Sequence, residues 1–240
     1  MTSAPKSKLF SDLRTFILIE CFFLGYLSFS YSVYAQPISA RDELAEAIEH
    51  AINTLPASQL GIYNGRDYTP TAITAAGHPY FPTDEMEPGT IFYDGIRYND
   101  IYLIFDASLQ CVVIEDYAGN KICPVEQKIE SFVIGGHTFK RVSDVAGLAP
   151  GFYEVLVHGT LFAKRSKSGG GMQWKSSTDY YFLNEGKIFQ LTNNKSINQS
   201  MGDRENDIRR YMRDNKLSLN KNRERTLVEV VQYYLRLKQQ

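Results

Sequence analysis

The stretch GTIFYDGIRYNDIYLIFD, residues 89–106, decides the fold of this 240-residue chain. Two runs rich in Ile, Tyr and Phe lie on either side of Asp94-Gly95. Because Asp-Gly readily adopts the positive φ angles of a two-residue turn, the pattern predicts a β-hairpin. Short runs of β-branched and aromatic residues are typical of strands, so both arms of the stretch are predicted to be extended.

The same succession of strand and turn recurs along the chain. Turn signals at Asn64-Gly65, Gly135-Gly136 and Asn184-Glu185-Gly186 separate further short runs rich in Val, Ile, Tyr and Phe. About ten strands without long helices between them favour a mainly β (α+β) fold, an antiparallel meander rather than βαβ units. Such a sheet has open edges, so we expect it to be curved or barrel-like, with helices covering part of it.

The N-terminus has the composition of an export signal. Three basic residues precede an apolar run at 16–35, which ends in Val-Tyr-Ala before Gln36-Pro37. This order predicts a signal peptide at 1–35, cleaved after Ala35, and a body exported to the periplasm or cell envelope. The alternative is an uncleaved anchor, since the run approaches the ~20 residues that span a bilayer. The positive-inside rule would again place the body outside.

We predict one domain at 36–200 and a helical tail at 201–240. Apolar side chains recur at helical spacing in SARDELAEAIEHAINTL from Ser39, which predicts one N-terminal helix. The tail shows this spacing in DRENDIRRYMRDN from Asp203 and in a second run that begins at Asn220, a suitable N-cap. We expect this helix pair to pack its apolar face on the sheet and to keep its basic face in water.

Composition restricts the partners. The chain has 26 Lys and Arg against 27 Asp and Glu, a formal net charge of −1. This balance, together with export, argues against nucleic acid as a partner. We expect an apolar ligand or another envelope protein instead, with peripheral contact between the basic tail and an anionic membrane as an alternative. The sequence pattern leaves the oligomeric state open.

The sequence contains no familiar catalytic, cofactor-binding or metal-binding motif. The nucleophile elbow, the P-loop and the dinucleotide-binding glycine pattern are absent. The histidines lack the close spacing of metal ligands and stand singly, at His50, His78, His137 and His158. We therefore predict a non-enzymatic protein without a cofactor. The alternative is a periplasmic hydrolase in which His137 or His158 lies beside a carboxylate from a distant part of the chain.

Three tyrosines are candidates for a ligand-binding face. Tyr93, Tyr98 and Tyr102 follow one another at short intervals on the two predicted strands of residues 89–106. Exposed aromatic rings on a strand can stack on a sugar or a peptide, whereas buried ones pack in the core. The ligand face is the functional interpretation, and core packing is the alternative.

Cys111 and Cys123 are the two cysteines that follow the signal peptide, and an oxidising compartment favours a disulfide between them. With a turn centred on Tyr117, they would oppose each other across a hairpin, and a small adjustment would allow a bridge. With a turn centred on Ala118-Gly119, the register slips, and we expect two free thiols among apolar neighbours.

The order of segments from residue 58 to residue 237 resembles that of a known group of proteins. The segments that carry the resemblance are SQLGIYNGRDY, GHPYF, GTIFYDGIRYNDIYLIFD, ESFVIGGHTFKRV, GFYEVLVHG and KLSLNKNRERTLVEVVQYYLRL. Together they resemble uncharacterised exported proteins common in Bacteroidota-type genomes. The resemblance implies an exported location and transfers no activity, ligand or site residue. We expect a ligand or partner on the curved sheet, where an apolar concavity would favour a carrier and a flat polar face an adaptor.

Overall fold

The computed structural model describes residues 60–71, 75–170 and 172–239, together with scattered positions between 43 and 55. The predicted signal peptide, its cleavage after Ala35 and most of the predicted N-terminal helix lie outside the described residues. The positions that are described from 43 to 54 are helical. Contacts divide the chain into two units, Met1–Ala47 and Ile48–Gln240, and the sheet and C-terminal helices belong to the second.

Twelve strands form one antiparallel sheet in the described part of the chain. They are β1 Gly65–Asp67, β2 Tyr80–Phe81, β3 Glu87–Tyr93, β4 Ile96–Asp106, β5 Cys111–Glu115, β6 Lys121–Pro124, β7 Ile129–Ile134, β8 His137–Val142, β9 Gly151–Val157, β10 Leu161–Gly170, β11 Gln173–Asn184 and β12 Lys187–Gln190. Their order is β1-β6-β5-β4-β3-β7-β8-β9-β10-β11-β12, and β2 pairs with the end of β4. The predicted mainly β, antiparallel class is confirmed. The sheet ends at β1 and β12 without closing, so it is not a barrel.

From β3 onward, the chain follows a meander that is interrupted once. Strands β3 to β6 lie side by side in chain order, and β7 then returns to pair with β3. From β7 to β12 each strand pairs with the next one along the chain. The return of β7 places the second half of the sheet beside β3, a neighbour that no local pattern in the sequence indicates.

Three of the predicted turns join consecutive strands. Their central residues have φ angles of 54° and 77° at Asp94-Gly95, 53° and 79° at Gly135-Gly136, and 50° and 76° at Glu185-Gly186. Two successive positive φ angles are what the favoured two-residue hairpin turn requires, because its twist then matches that of the strands. Local turn chemistry is therefore enough to place these three hairpins.

The hairpin predicted at Asn64-Gly65 is wrong. Gly65 begins β1, and β1 pairs with β6 instead of the next strand. A Cβ atom on Gly65 would lie 2.3 Å from the carbonyl oxygen of Cys123. Glycine is required here because two backbones approach each other closely, not because a turn needs a positive φ angle.

Three helices follow the sheet, α1 Asn194–Ser200, α2 Glu205–Asp214 and α3 Arg223–Lys238. The first precedes the predicted pair, and its N-cap Asn193 accepts a hydrogen bond from the backbone N–H of Ser196 at 3.0 Å. The third begins after Asn222, whose side chain accepts a hydrogen bond from the backbone N–H of Arg225. The N-cap is therefore Asn222 and not Asn220. Among the described residues, no helix is both long and apolar enough to cross a membrane.

Three groups of buried side chains form the core, and the smallest surrounds the cysteines Cys111 and Cys123. The first follows β3 to β9, and at its centre the rings of Phe132 and Phe139 stack with 4.7 Å between their centroids. The second lies between the helices and the strands β10 and β11. Its fully buried members include Leu161, Phe182, Leu227, Val230 and Val231. The helices thus remove one face of the inner parts of β10 and β11 from water.

A disulfide bond joins Cys111 to Cys123, with 6.3 Å between their Cα atoms. The strands pair Ile114 with Ile122, which centres the turn on Ala118. In this register the two cysteines are diagonal neighbours on one face instead of directly opposed. Their Cα separation nevertheless lies within the range of disulfides. The turn centre therefore lies between the two predicted positions, Tyr117 and Ala118-Gly119, and the diagonal pair is close enough to be bridged.

Candidate functional site

An apolar pocket of about 340 Å³ lies on the face of β9 to β12 that points away from the helices. Successive side chains of a strand point to opposite faces. Phe182 packs against the helices, so its neighbours Tyr181 and Leu183 face the other way and line the pocket. The lining residues are Val142, Val145, Ala146, Leu148, Tyr153, Phe162, Tyr181, Leu183, Gly186 and Ile188.

The segment 143–150, between β8 and β9, forms one wall of the apolar pocket and is fixed near its end. The hydroxyl of Tyr153 donates a hydrogen bond to the carbonyl of Ala149 at 2.8 Å. The ammonium of Lys164 donates to the carbonyl of Pro150 at 2.9 Å and lies 5.2 Å from the centre of the Tyr153 ring. These contacts hold the wall against the sheet, as is usual for a pre-formed ligand site.

The apolar pocket offers few polar groups to a ligand. Burial, together with the nearby Tyr181, raises the pKa of the Tyr153 phenol to about 12, so this group stays neutral. Its hydroxyl is already engaged by the carbonyl of Ala149. The Tyr181 ring packs edge to face against the Tyr153 ring, with 5.6 Å between the ring centroids. The Tyr181 hydroxyl has no hydrogen-bond partner in the described part of the chain. The pocket therefore suits an apolar molecule with at most one polar group, placed near Tyr181.

A charged network of His137, Glu154, Arg165 and Glu224 lies on the opposite face, between the sheet and α3. Glu154 follows Tyr153 on β9 and so points away from the pocket. One oxygen of its carboxylate lies 2.6 Å from Nδ1 of His137, and the other accepts a hydrogen bond from Nε of Arg165 at 2.5 Å. Nη1 of Arg165 pairs with Glu224 at 2.7 Å. Arg165 thus connects β9, β10 and α3.

Burial and pairing act in opposite directions on the pKa values of the charged network. Burial alone would lower the pKa of Arg165, but its hydrogen bonds to Glu224 and Glu154 outweigh burial and raise the pKa above its ordinary value. Burial would raise the pKa of Glu224, and the hydrogen bond and charge of Arg165 lower it instead. Burial and Glu224 raise the pKa of Tyr180, which donates a hydrogen bond to Glu224, to about 12. These three groups therefore keep their usual charge at neutral pH.

The charged network contains the kind of pair that the hydrolase alternative requires. His137 lies beside a carboxylate from another strand, and its side chain is 33% exposed. A carboxylate at Nδ1 orients an imidazole so that Nε2 can accept a proton. In the described part of the chain, no Ser, Thr or Cys side chain is bonded to His137, and the Glu154 carboxylate is shared with Arg165. His158 is exposed and has no carboxylate partner among the described residues.

The three tyrosine candidates do not share one face. Tyr93 and Tyr98 are 2% and 5% exposed, and their rings pack edge to face in the core. Tyr102 is 60% exposed. Asp100 causes the difference, because it has a φ angle of 54° where the pairing of β3 with β4 shifts register. This β-bulge reverses the direction of the side chains that follow it.

The described residues contain no group of three His, Cys, Asp or Glu side chains placed to hold a metal ion. No family model, curated protein or solved structure matches the chain. Export, the resemblance to proteins of Bacteroidota-type genomes and the identity of any partner therefore stay predictions.

Apart from His137, the residues of the apolar pocket and of the charged network were not predicted from the sequence. Phe162 and Tyr181 look like ordinary strand aromatics until the strand order brings them together. The charged network could have been predicted in part, because Glu154 interrupts the apolar run GFYEVLV. A carboxylate buried in a strand needs a cation, and Arg165 on the next strand supplies it.

Proposed function

We propose that the protein is an exported envelope protein that binds a small apolar molecule in the apolar pocket. The pocket itself supports this function, because it provides about 340 Å³ between aromatic and aliphatic side chains. Ligand sites commonly enclose about 300 to 1,000 Å³ and have apolar linings with few polar groups. The predicted signal peptide supports export, and the Cys111–Cys123 disulfide is of the kind that persists in oxidising compartments.

Removal of apolar surface from water drives binding in this pocket. Phe162, Tyr181 and Leu183 offer rigid apolar surface to a ligand on the sheet side. None of the described lining residues is Asp, Glu, Lys or Arg. A charged group would therefore lose its hydration in the pocket without gaining a partner. We expect the protein to prefer a neutral ligand over an ionised analogue of the same size.

A substitution that fills the pocket tests this function. Ala146 is exposed and lines the pocket, so Ala146→Phe places a ring in the ligand space at little cost to the fold. The matched control is Ala118→Phe, an exposed alanine in the turn between β5 and β6 and outside the lining. We expect a neutral solvatochromic dye to bind the wild-type protein saturably, Ala146→Phe to weaken its binding at least about tenfold, and Ala118→Phe to leave it unchanged. Absence of saturable binding to the wild-type protein, or equal binding to both variants, would contradict the function.

A periplasmic hydrolase is the second candidate, favoured by the 2.6 Å contact between His137 and Glu154. In this function, Glu154 holds the Nδ1 proton of His137. Nε2 takes a proton from the attacking water and gives it to the leaving oxygen as its bond breaks. His137→Gln should then abolish the hydrolysis of activated esters or phosphodiesters, and His158→Gln should leave it intact. Hydrolysis that is equal in the two variants, or undetectable in the wild-type protein, would remove this candidate.

A further inference from the structure

The hairpin of β10 and β11 extends beyond the strands beside it. Strand β9 pairs with β10 only at residues 161–163, and β12 pairs with β11 only at residues 181–184. Beyond these positions, β10 and β11 pair with each other as far as Gly170 and Gln173. We call the outer part of this hairpin, residues 166–170 and 172–178, the β10–β11 arm.

Apolar side chains lie at the end of the β10–β11 arm. Met172 is 88% exposed, the highest exposure among the large hydrophobic side chains of the described residues. Trp174, the one tryptophan of the 240-residue sequence, is partly exposed two positions further on. The backbone N–H of Ala76 donates to the carbonyl of Met172, and the N–H of Trp174 donates to the carbonyl of Ala76, both at 2.9 Å. The arm therefore presents these side chains from a braced backbone.

All charged side chains of the β10–β11 arm are positive. Lys167 and Lys175 lie on its two strands, and the sequence from Arg165 to Thr178 contains no Asp or Glu. The nearest acid along the chain is Asp179, where the arm meets the sheet, and its carboxylate accepts a hydrogen bond from Gln190. The arm thus combines an exposed thioether, a tryptophan and two ammonium groups.

We propose that the β10–β11 arm binds the surface of an anionic lipid membrane. Tryptophan is enriched at the level of lipid headgroups because its ring is amphipathic. Lys167, on the face of the arm that carries Trp174, and Lys175, on the other face, are attracted to anionic lipids, and Met172 can enter the boundary of the acyl chains. The basic C-terminal tail offers a competing surface on the same molecule, so the experiment has to distinguish the arm from the tail.

The single tryptophan makes the test specific for the arm. Protein purified from the exported fraction is mixed with vesicles of phosphatidylglycerol and phosphatidylcholine, or of phosphatidylcholine alone. Sedimentation measures binding, and the emission of Trp174 reports whether the arm enters the lipid interface. We expect binding and a blue shift with the anionic vesicles, both weakened by added salt, and neither with phosphatidylcholine alone.

Substitutions locate the contact. The double variant Lys167→Gln/Lys175→Gln should weaken binding at least about tenfold, and Met172→Ser should reduce the blue shift. The matched control is Lys216→Gln/Lys221→Gln, two exposed lysines of the tail, which should bind like the wild-type protein. Each of three results would overturn the proposal: no sedimentation with anionic vesicles, sedimentation without a change in Trp174 emission, or loss of binding in the tail variant alone.

Discussion

Arg165 is the side chain on which the charged network depends. It pairs with Glu154, which is 4% exposed, and with Glu224 at the start of α3. Loss of one partner from a buried pair leaves the other charge without compensation. The guanidinium therefore both neutralises a carboxylate inside the protein and fixes the position of the last helix.

Arg165→Met should lower the free energy of unfolding by about 3 to 5 kcal/mol, because the Glu154 carboxylate then stays buried without its cation. Adding Glu154→Gln should recover part of this loss. Lys167→Met, on the same strand but outside the charged network, should change stability by less than about 0.5 kcal/mol. Urea denaturation measures all three. A small effect of Arg165→Met would mean that Glu154 is not held as a buried charge.

Glu224 gives stability a defined pH dependence. Its pKa in the folded protein lies below the ordinary value of 4.5, because Arg165 outweighs the effect of burial. Its ion pair therefore stabilises the fold above about pH 4.5, and this contribution is lost as the pH falls through the lowered pKa. The Tm difference between the wild-type protein and Glu224→Gln should be full at neutral pH and should shrink on acidification. A difference that does not vary with pH would contradict this role.

Among the structural elements, hairpins differ in how far the local sequence determines them. Asp94-Gly95 and Gly135-Gly136 are predictable because the positive φ angles they need are a property of the residues themselves. Gly65 led to a wrong prediction of a turn, because glycine is needed there for the close approach to the backbone of Cys123, which is distant in sequence. The bulge at Asp100 is equally hidden, and it separates Tyr98 from Tyr102. Local rules thus predicted most of the strands and most of the turns, but not the short β2 and not which side chains lie on the same face of the sheet.

The hairpin of β5 and β6 should lose stability without its disulfide but keep its fold. The bond closes a loop between residues 12 positions apart. Chain entropy predicts a loss of about 3 kcal/mol for a loop of this size. Urea denaturation of Cys111→Ala/Cys123→Ala, compared with the oxidised and reduced wild-type protein, measures it. Thiol counting on residues 36–240, denatured and not reduced, should find no reactive thiol, and two per chain would show that the bridge is absent.

The helix α3 should be indispensable for solubility. Its Leu227, Val230 and Val231 are fully buried against the sheet, and each such side chain contributes roughly 1.5 to 3 kcal/mol. The sum of these three contributions approaches the free energy of unfolding of a typical domain. Deletion of residues 223–240 should therefore cause aggregation, whereas deletion of residues 239–240 should not. Size-exclusion chromatography compares the two, and a soluble monomer from the longer deletion would contradict the packing.

At the scale of the whole sheet, β9 to β12 separate two environments. One face carries the charged network and the packed helices, and the other carries the apolar pocket. Phe162 and Tyr181 come together in the pocket because β10 and β11 pair, and segment 143–150 joins them from the far side of β9. The sequence therefore allowed prediction of a sheet with helical cover, but not of the pocket, which depends on the order of strands and on the segment that covers them.

Native mass spectrometry of protein purified from the cells that produce it tests the binding function most directly. If the apolar pocket holds a small neutral molecule, the wild-type protein and Ala118→Phe should carry it at about one molecule per chain. Ala146→Phe, which fills the pocket, should carry none. A wild-type protein of bare chain mass that also takes up no apolar compound on incubation would contradict the account, as would a molecule retained equally by Ala146→Phe.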